Sequence, residues 1–189
     1  MKTKFLLFAL IYLLSNTVTA QEPDRNARLD SINDIINKNA KGLRFILNKV
    51  SVNSELSEIG SSFFKNKFII LSNKKRRRYK TTSDENTKIP NNNLYCVNVD
   101  STGNLSFPLL FSSAIDSKNN EGTIAFTPDE NKIFFTQSTK ENPNVYKLYT
   151  ADLDIKSDKY WTNITELKLM DDQYSIETPF VSNDGKKLY

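Results

Sequence analysis

The chain of 189 residues contains no histidine and a single cysteine, Cys96. The absence of histidine excludes Ser-His-Asp and Cys-His nucleophilic catalysis and every histidine-ligated metal site. One cysteine excludes an intramolecular disulfide and a cysteine-rich zinc or iron–sulfur centre. Because Cys96 lies inside an apolar strand pattern, we expect a small buried residue there rather than a reactive thiol.

Glycine and proline are also scarce, with 5 and 6 copies. The glycines are too scattered for a phosphate-binding loop. The acidic pair Asp171-Asp172 lies in a polar stretch, where carboxylates are usually solvated, and Asp152 and Asp154 lack the further ligands and the glycine of a calcium loop. The sequence therefore predicts a protein that is not an enzyme and has no cofactor and no metal site.

The segment 1–20 has the pattern of a signal peptide. Lys2 and Lys4 precede the apolar run Phe5–Leu14, and Val18-Thr19-Ala20 places small residues at the cleavage positions. Residue 21 is Gln, so lipoprotein processing directly after Ala20 is not indicated. We expect cleavage after Ala20, export, and no transmembrane helix in the mature chain; the alternative is an uncleaved membrane anchor.

Residues 21–52 show helical spacing of apolar residues. The positions that carry this spacing are Leu29, Ile32, Ile35 and Ile36. The stretch from Leu43 to Val50 continues the apolar content, and Gly42 offers a break. The sequence predicts a helical appendage of one helix or two short ones.

From residue 53 the chain carries a weak internal repeat. The turn sequence 127–134 returns at 182–189, and the strand sequence 94–100 returns at 148–154, with almost the same spacing. A period of roughly 50 residues is typical of propeller blades, and each period holds four short apolar runs joined by turns. The apolar runs predicted as strands are 63–64, 68–71, 94–99, 105–111, 123–126, 133–136, 146–153 and 160–167.

These patterns predict a mainly β fold with a short N-terminal helical segment. We expect residues 53–189 to form a partial β-propeller, with two blades and the start of a third at Thr178. Because Tyr189 lies inside a predicted strand, we expect the propeller to continue beyond it in a longer protein.

A basic run occupies the polar insertion between two predicted strands. Its members are Lys74, Lys75, Arg76, Arg77, Arg78 and Lys80. One interpretation is a patch for anionic lipid headgroups, surface polysaccharide or nucleic acid. We favour the other, a solvated insertion loop, because an exported protein meets little nucleic acid and two of the four excess positive charges belong to the signal peptide.

Two stretches, Thr127–Phe135 and Ser182–Tyr189, resemble the repeat Ser-Pro-Asp-Gly-Lys-x-Leu-Tyr-Phe of TolB-like periplasmic propellers. They depart from it at Glu130-Asn131, which replaces Gly-Lys, and at Asn183, which replaces Pro. The chain from Asn53 onward resembles exported Bacteroidetes-type proteins of the OmpA/MotB family, in which WD-repeat-like propeller repeats precede a peptidoglycan-binding domain. The further stretches that carry this resemblance are 53–60, 120–129, 161–167 and 174–175.

The resemblance implies a non-catalytic binding or scaffold module of the cell envelope, located in the periplasm or at the outer membrane. Its implied partners are envelope proteins of unknown identity, and peptidoglycan through an OmpA-like domain that these residues do not contain. Nucleic acid is not an expected partner. Two alternatives remain: the N-terminal propeller of an exported serine peptidase, marked by a downstream Gly-x-Ser-x-Gly motif, and a free TolB-like periplasmic binding protein.

Overall fold

The computed structural model divides the chain into two units, Met1–Lys49 and Val50–Tyr189. The predicted signal peptide lies outside the described residues. Within the described part, no helix is both long and apolar enough to cross a membrane. The described residues are 25–38, 40–75, 82–83 and 88–189.

The first unit contains one described helix, α1, at Arg25–Lys38. The predicted continuation of helix into residues 43–49 is wrong, because this stretch has no helical structure. Gly42 adopts φ 93°, which breaks the helical path. The side chains of Asn33 and Asn37 then hydrogen-bond the backbone of residues 43–49, which a longer helix would pair internally.

The second unit begins with a four-stranded antiparallel sheet whose strands follow chain order. The predicted hairpin across Lys65-Asn66-Lys67 is confirmed. The strand predicted over residues 105–111 is much shorter, because Pro108 has no N–H to contribute to the ladder. The strands of this sheet are β1 (Glu58–Phe64), β2 (Lys67–Ser72), β3 (Asn93–Val97) and β4 (Leu109–Leu110).

A second four-stranded antiparallel sheet has the same strand order. The prediction of a mainly β fold is confirmed, and in the described residues neither sheet closes on itself. A third hairpin follows, with a single bridge between Val181 and Leu188. The strands of the second sheet are β5 (Glu121–Phe126), β6 (Lys132–Ser138), β7 (Tyr146–Leu153) and β8 (Trp161–Glu166).

The repeated turn sequence folds in the same way twice. The Thr127 hydroxyl donates to Asp129 Oδ1 at 2.6 Å and accepts from the Lys132 N–H at 3.1 Å. In the second copy, the Ser182 hydroxyl donates to Asp184 Oδ1 at 2.6 Å and accepts from the Lys187 N–H at 3.0 Å. The sequence repeat is therefore also a repeat of hydrogen bonds.

Hydrogen bonding lowers the pKa of both turn aspartates. The hydroxyl of Thr127 is the main cause for Asp129, and the hydroxyl of Ser182 is the main cause for Asp184. A lowered pKa in the folded state means that the ionised carboxylate supports the turn above the ordinary pKa near 3.9. That support is lost as pH falls through the folded-state pKa, which confines the effect to acid below about pH 4.

Glu130 occupies the left-handed position of its turn, with φ 56°, where the second copy has Gly185 at φ 71°. Its carboxylate accepts a hydrogen bond from the Lys65 N–H of the first hairpin at 2.7 Å. We expect Glu130→Ala to destabilise the protein by about 1 kcal/mol, because the bond is lost and the strain stays. Glu130→Gly should regain most of that loss, because glycine removes the strain. Denaturant unfolding of the two variants checks this order, and an equal loss in both would contradict it.

The two sheets share one register. Leu94 of β3 lies opposite Leu71 of β2, and Leu148 of β7 lies opposite Thr136 of β6. Since Leu94 and Leu148 are the repeat-equivalent residues, Leu71 and Thr136 are equivalent as well. The equivalence extends to the cross-strand pairs Lys67–Asn98 and Lys132–Asp152, in which each lysine ammonium bonds its partner's side chain.

One apolar core lies between the sheets. The first sheet contributes the face of β2 and β3 that carries Ile69 and Leu94, and the second contributes the face of β6 and β7 that carries Ile133 and Ala151. Four aromatic rings join this core with centroid separations from 4.8 to 6.3 Å. These rings are Phe64, Phe111, Phe126 and Trp161.

The two core-forming faces are not equivalent faces of the repeat. By the shared register, Leu71 corresponds to Thr136, and Thr136 lies on the face of the second sheet that points away from the common core. The core instead takes Ile133 and Phe135, from the opposite face. We call the sheet face that carries Ile133 and Phe135, and its repeat equivalent in the first sheet, the front. The back of the first sheet therefore packs on the front of the second, so the sheets stack front to back. Part of the front of the first sheet, around Ile70 and Val97, packs against Val52 in a separate small core.

Candidate functional site

The long loops of both sheets meet at one end of the second unit. The insertion between β2 and β3 returns through Asn91 and Asn92, and the segment between the sheets passes through residues 118–120. The Asn91 side chain donates to Lys118 O at 2.8 Å, and the Asn92 N–H donates to Asn120 Oδ1 at 3.0 Å. Asn120 also pairs with Ser138, where β6 ends. We call this surface the loop end.

The predicted basic patch is described only at its start. Lys74 is half-buried and its backbone is fixed, since its N–H donates to Ser72 Oγ at 3.1 Å and its carbonyl accepts from Tyr95 Oη at 3.3 Å. Lys75 is exposed. The described structure thus fixes where the insertion leaves β2 at the loop end. The other predicted members, Arg76, Arg77, Arg78 and Lys80, lie outside the described residues.

A groove of about 650 Å³ opens at the loop end, beside the β6–β7 connection. Most of its lining residues are polar, and they include charges of both signs. The ring of Tyr149 forms part of one wall and stacks on Phe135 with centroids 5.5 Å apart. The other lining residues that matter here are Asn119, Lys140, Glu141, Lys147 and Glu166.

Lys147 is a buried residue that lines this groove. Its ammonium donates to Asp172 O at 2.8 Å and lies 3.3 Å from the Asp172 carboxylate. It therefore anchors the loop around residue 172 to the start of β7. In the acidic pair Asp171-Asp172, it is Asp172 that makes this contact, and the rest of its side chain is exposed to solvent.

Burial perturbs two tyrosines near the groove. Burial is the main cause of the raised pKa of Tyr149, and the charge of Glu166 adds to it. Burial also raises the pKa of Tyr146, with the charge of Glu177 adding. Because the ordinary pKa of tyrosine is already about 10, both hydroxyls stay protonated at neutral pH.

Lys147 is a residue of the groove that the sequence pattern does not reveal. The apolar residues of Tyr146–Leu153 predict a strand, and a lysine within such a strand looks like a solvated position. The repeat offers one signal for this residue. Lys147 is the repeat equivalent of Asn93 in the first sheet, and both positions are buried and polar. Asn93 donates to Asn91 O at 2.8 Å, so each residue fixes a loop-end segment.

Within the described residues, no group of three or more Cys, Asp or Glu side chains lies close enough together to hold a metal ion. Cys96 is half-buried in β3, and burial raises the pKa of its thiol, which disfavours the thiolate. The groove instead offers amide, hydroxyl, ammonium and carboxylate groups beside one aromatic ring.

Comparisons with protein-family models, with curated proteins and with solved structures find no match to this chain.

Proposed function

We propose that Val50–Tyr189 is part of a β-propeller that serves as a non-catalytic binding module. The observation that carries the proposal is the front-to-back stacking of two four-stranded sheets that are related by the sequence repeat. A sandwich of two sheets completes itself by burying one face of each. Front-to-back stacking instead leaves one outer sheet face of each kind open. Further sheets can then add to the stack in the same way until a ring closes.

The outer surfaces of the stack support this proposal. Phe63, on the front of the first sheet, is 62% exposed, and Phe180 of the third hairpin is 58% exposed. The third hairpin lies against the second, since a Cβ at Gly185 would come within 3.3 Å of Pro128. Large apolar side chains at both outer surfaces are what further blades would cover.

The proposed binding surface is the loop end. Propeller blades hold their loops on rigid strands, and loops positioned in this way are a frequent place for recognition. The groove beside Tyr149 combines an aromatic wall with donors and acceptors from Lys140 and Glu166. This chemistry fits an extended polar peptide or a flexible loop of a partner protein.

We further propose that the module works in the cell envelope. The support is the signal-peptide pattern of residues 1–20 and the resemblance of residues 53–189 to propeller repeats of the OmpA/MotB family. That resemblance also supports a tether to peptidoglycan through a separate domain. The envelope assignment predicts a mature amino terminus at Gln21, which mass spectrometry of the exported protein checks. An intact Met1 in the envelope fraction would contradict cleavage.

The binding proposal is tested with a matched pair of charge reversals. Lys140→Glu changes the groove, and Lys186→Glu makes the same change in the third hairpin turn, away from the loop end. We expect affinity capture from an envelope extract to retain partners on the wild type and on Lys186→Glu. Retention should fall about tenfold on Lys140→Glu, because a single interfacial charge contributes on the order of 1.4 kcal/mol. Equal retention by all three proteins would contradict the groove as the binding surface.

The basic run is tested separately. If it is a solvated insertion, neutralising Arg76, Arg77 and Arg78 should leave partner capture and the unfolding midpoint unchanged. The measurement is capture at low and high salt, because a docking patch for anions weakens as ions screen it. A large, salt-sensitive loss of capture in the triple variant would show that the insertion binds an anionic component.

A further inference from the structure

Two asparagines of α1 hold an extended stretch of the same unit. Asn37 Oδ1 accepts from the Phe45 N–H at 2.7 Å, and its amide nitrogen donates to Phe45 O at 2.6 Å. Asn33 makes the same pair with Leu47, at 2.7 and 3.4 Å. Because residues i and i+4 lie on one face of a helix, the two amides imitate the edge of a neighbouring β-strand. We call the stretch they hold, residues 43–49, the edge segment.

The opposite edge of this segment is open. In an extended chain the N–H and C=O groups of alternate residues point to opposite edges, so those of Arg44, Ile46 and Asn48 point away from α1. Within the described residues, no hydrogen bond engages the backbone of these three residues. The side chain of Ile46 is also 61% exposed. An open, apolar β edge is a template for pairing with another strand.

The sequence of the edge segment is complementary to itself in one antiparallel register. Pairing centred on Ile46 places Phe45 opposite Leu47, Arg44 opposite Asn48 and Leu43 opposite Lys49. No like charges face each other, and the apolar residues meet at the centre. A register centred on Phe45 opposes Lys41 with Lys49. One centred on Leu47 opposes Ile46 with Asn48 and Phe45 with Lys49, so that only Leu47 faces an apolar residue.

We propose that the edge segment pairs with the edge segment of a second copy of this chain, and that the protein forms a two-fold symmetric dimer through this β ribbon. The pairing uses the same surface on both copies, as two-fold symmetry requires. It adds a self-association surface to the proposed binding module and does not depend on the propeller assignment, since it uses only the first unit.

The test is the molar mass of the full-length protein in solution, measured by light scattering across a concentration series. Ile46→Pro removes the central N–H of the open edge and leaves both asparagine pairs in place. We expect the wild type and the control Ile46→Val, which keeps the N–H, to have twice the protomer mass. The dimer dissociation constant of Ile46→Pro should rise at least tenfold. A monomeric wild type, or a dimer unaffected by Ile46→Pro, would overturn the proposal.

Disulfide trapping tests the register without relying on stability. In a Cys96→Ser background, Ile46→Cys places two cysteines at the symmetry axis, where strand Cα atoms lie within disulfide reach. Phe45→Cys places each cysteine opposite residue 47 of the other copy. We expect oxidation to link Ile46→Cys dimers and not Phe45→Cys dimers. The reverse result would overturn the register, and a monomer whose Arg44, Ile46 and Asn48 amides resist hydrogen exchange would show that the chain itself covers this edge.

Discussion

Truncation of Phe135 to alanine is expected to lower the free energy of unfolding by about 3–5 kcal/mol. The side chain is 1% exposed and lies in the core between the two sheets, where its ring stacks on Tyr149. The loss combines the removed apolar surface with the cavity that a rigid strand cannot fill. Denaturant unfolding followed by fluorescence of Trp161 checks it, because this is the single tryptophan and it belongs to the same core.

The control for this prediction is Phe180→Ala in the third hairpin. Phe180 is 58% exposed in the described structure, and its truncation should change the unfolding free energy by roughly 0.5 kcal/mol or less. An equal, small effect of both substitutions would mean that the sheets do not share a core. A large effect at Phe180 would show that the third hairpin is covered in the folded protein.

Replacement of Glu121 by alanine is expected to destabilise the protein by about 3 kcal/mol or more. Glu121 begins β5 and is 1% exposed. One carboxylate oxygen accepts from the Leu94 N–H of the first sheet at 2.7 Å, and the other accepts from the Ser117 N–H at 3.1 Å. A hydrogen bond to a charged group contributes roughly 1.5–3 kcal/mol, and alanine removes the acceptor of both N–H groups.

An exposed glutamate supplies the control for Glu121. Glu177 precedes the third hairpin and accepts from the Ser175 hydroxyl at 2.8 Å, but it is exposed. Glu177→Ala should cost about 0.5 kcal/mol or less. Glu121→Gln should lie between, because one amide oxygen remains as acceptor. Unfolding midpoints of the three variants decide the order, and a Glu121→Ala protein as stable as Glu177→Ala would contradict it.

Two sequence-based predictions of secondary structure failed for identifiable physical reasons. Helical spacing ended at Lys38 rather than near residue 50, because the carboxamides of Asn33 and Asn37 reach across to the backbone of residues 43–49. That contact joins residues eight to fourteen positions apart, beyond the range of a periodicity. Pro108 also shortened a predicted strand, although proline was visible in the sequence.

The sequence likewise predicted only one part of the candidate site. The sequence located the insertion that carries Lys74 and Lys75, because basic and polar residues interrupt two apolar runs. It gave no indication of the groove, which forms only where the segment 118–120 and the β6–β7 connection approach each other. Nor did it single out Lys147 or Glu121, because a charged residue looks solvated until its buried partners are known.

The sequence by itself determined the repeat and most of the strands. Alternating and continuous apolar runs specify strands locally, and the turn residues Thr127-Pro128-Asp129 and Ser182-Asn183-Asp184 close hydrogen bonds within five positions of one another. Only the tertiary structure decided which faces of the sheets meet, because strands with apolar residues on both faces carry no local instruction on their partner. Packing of Ile69 and Leu94 against Ile133 and Phe135 made that choice, and it set the two sheets front to back.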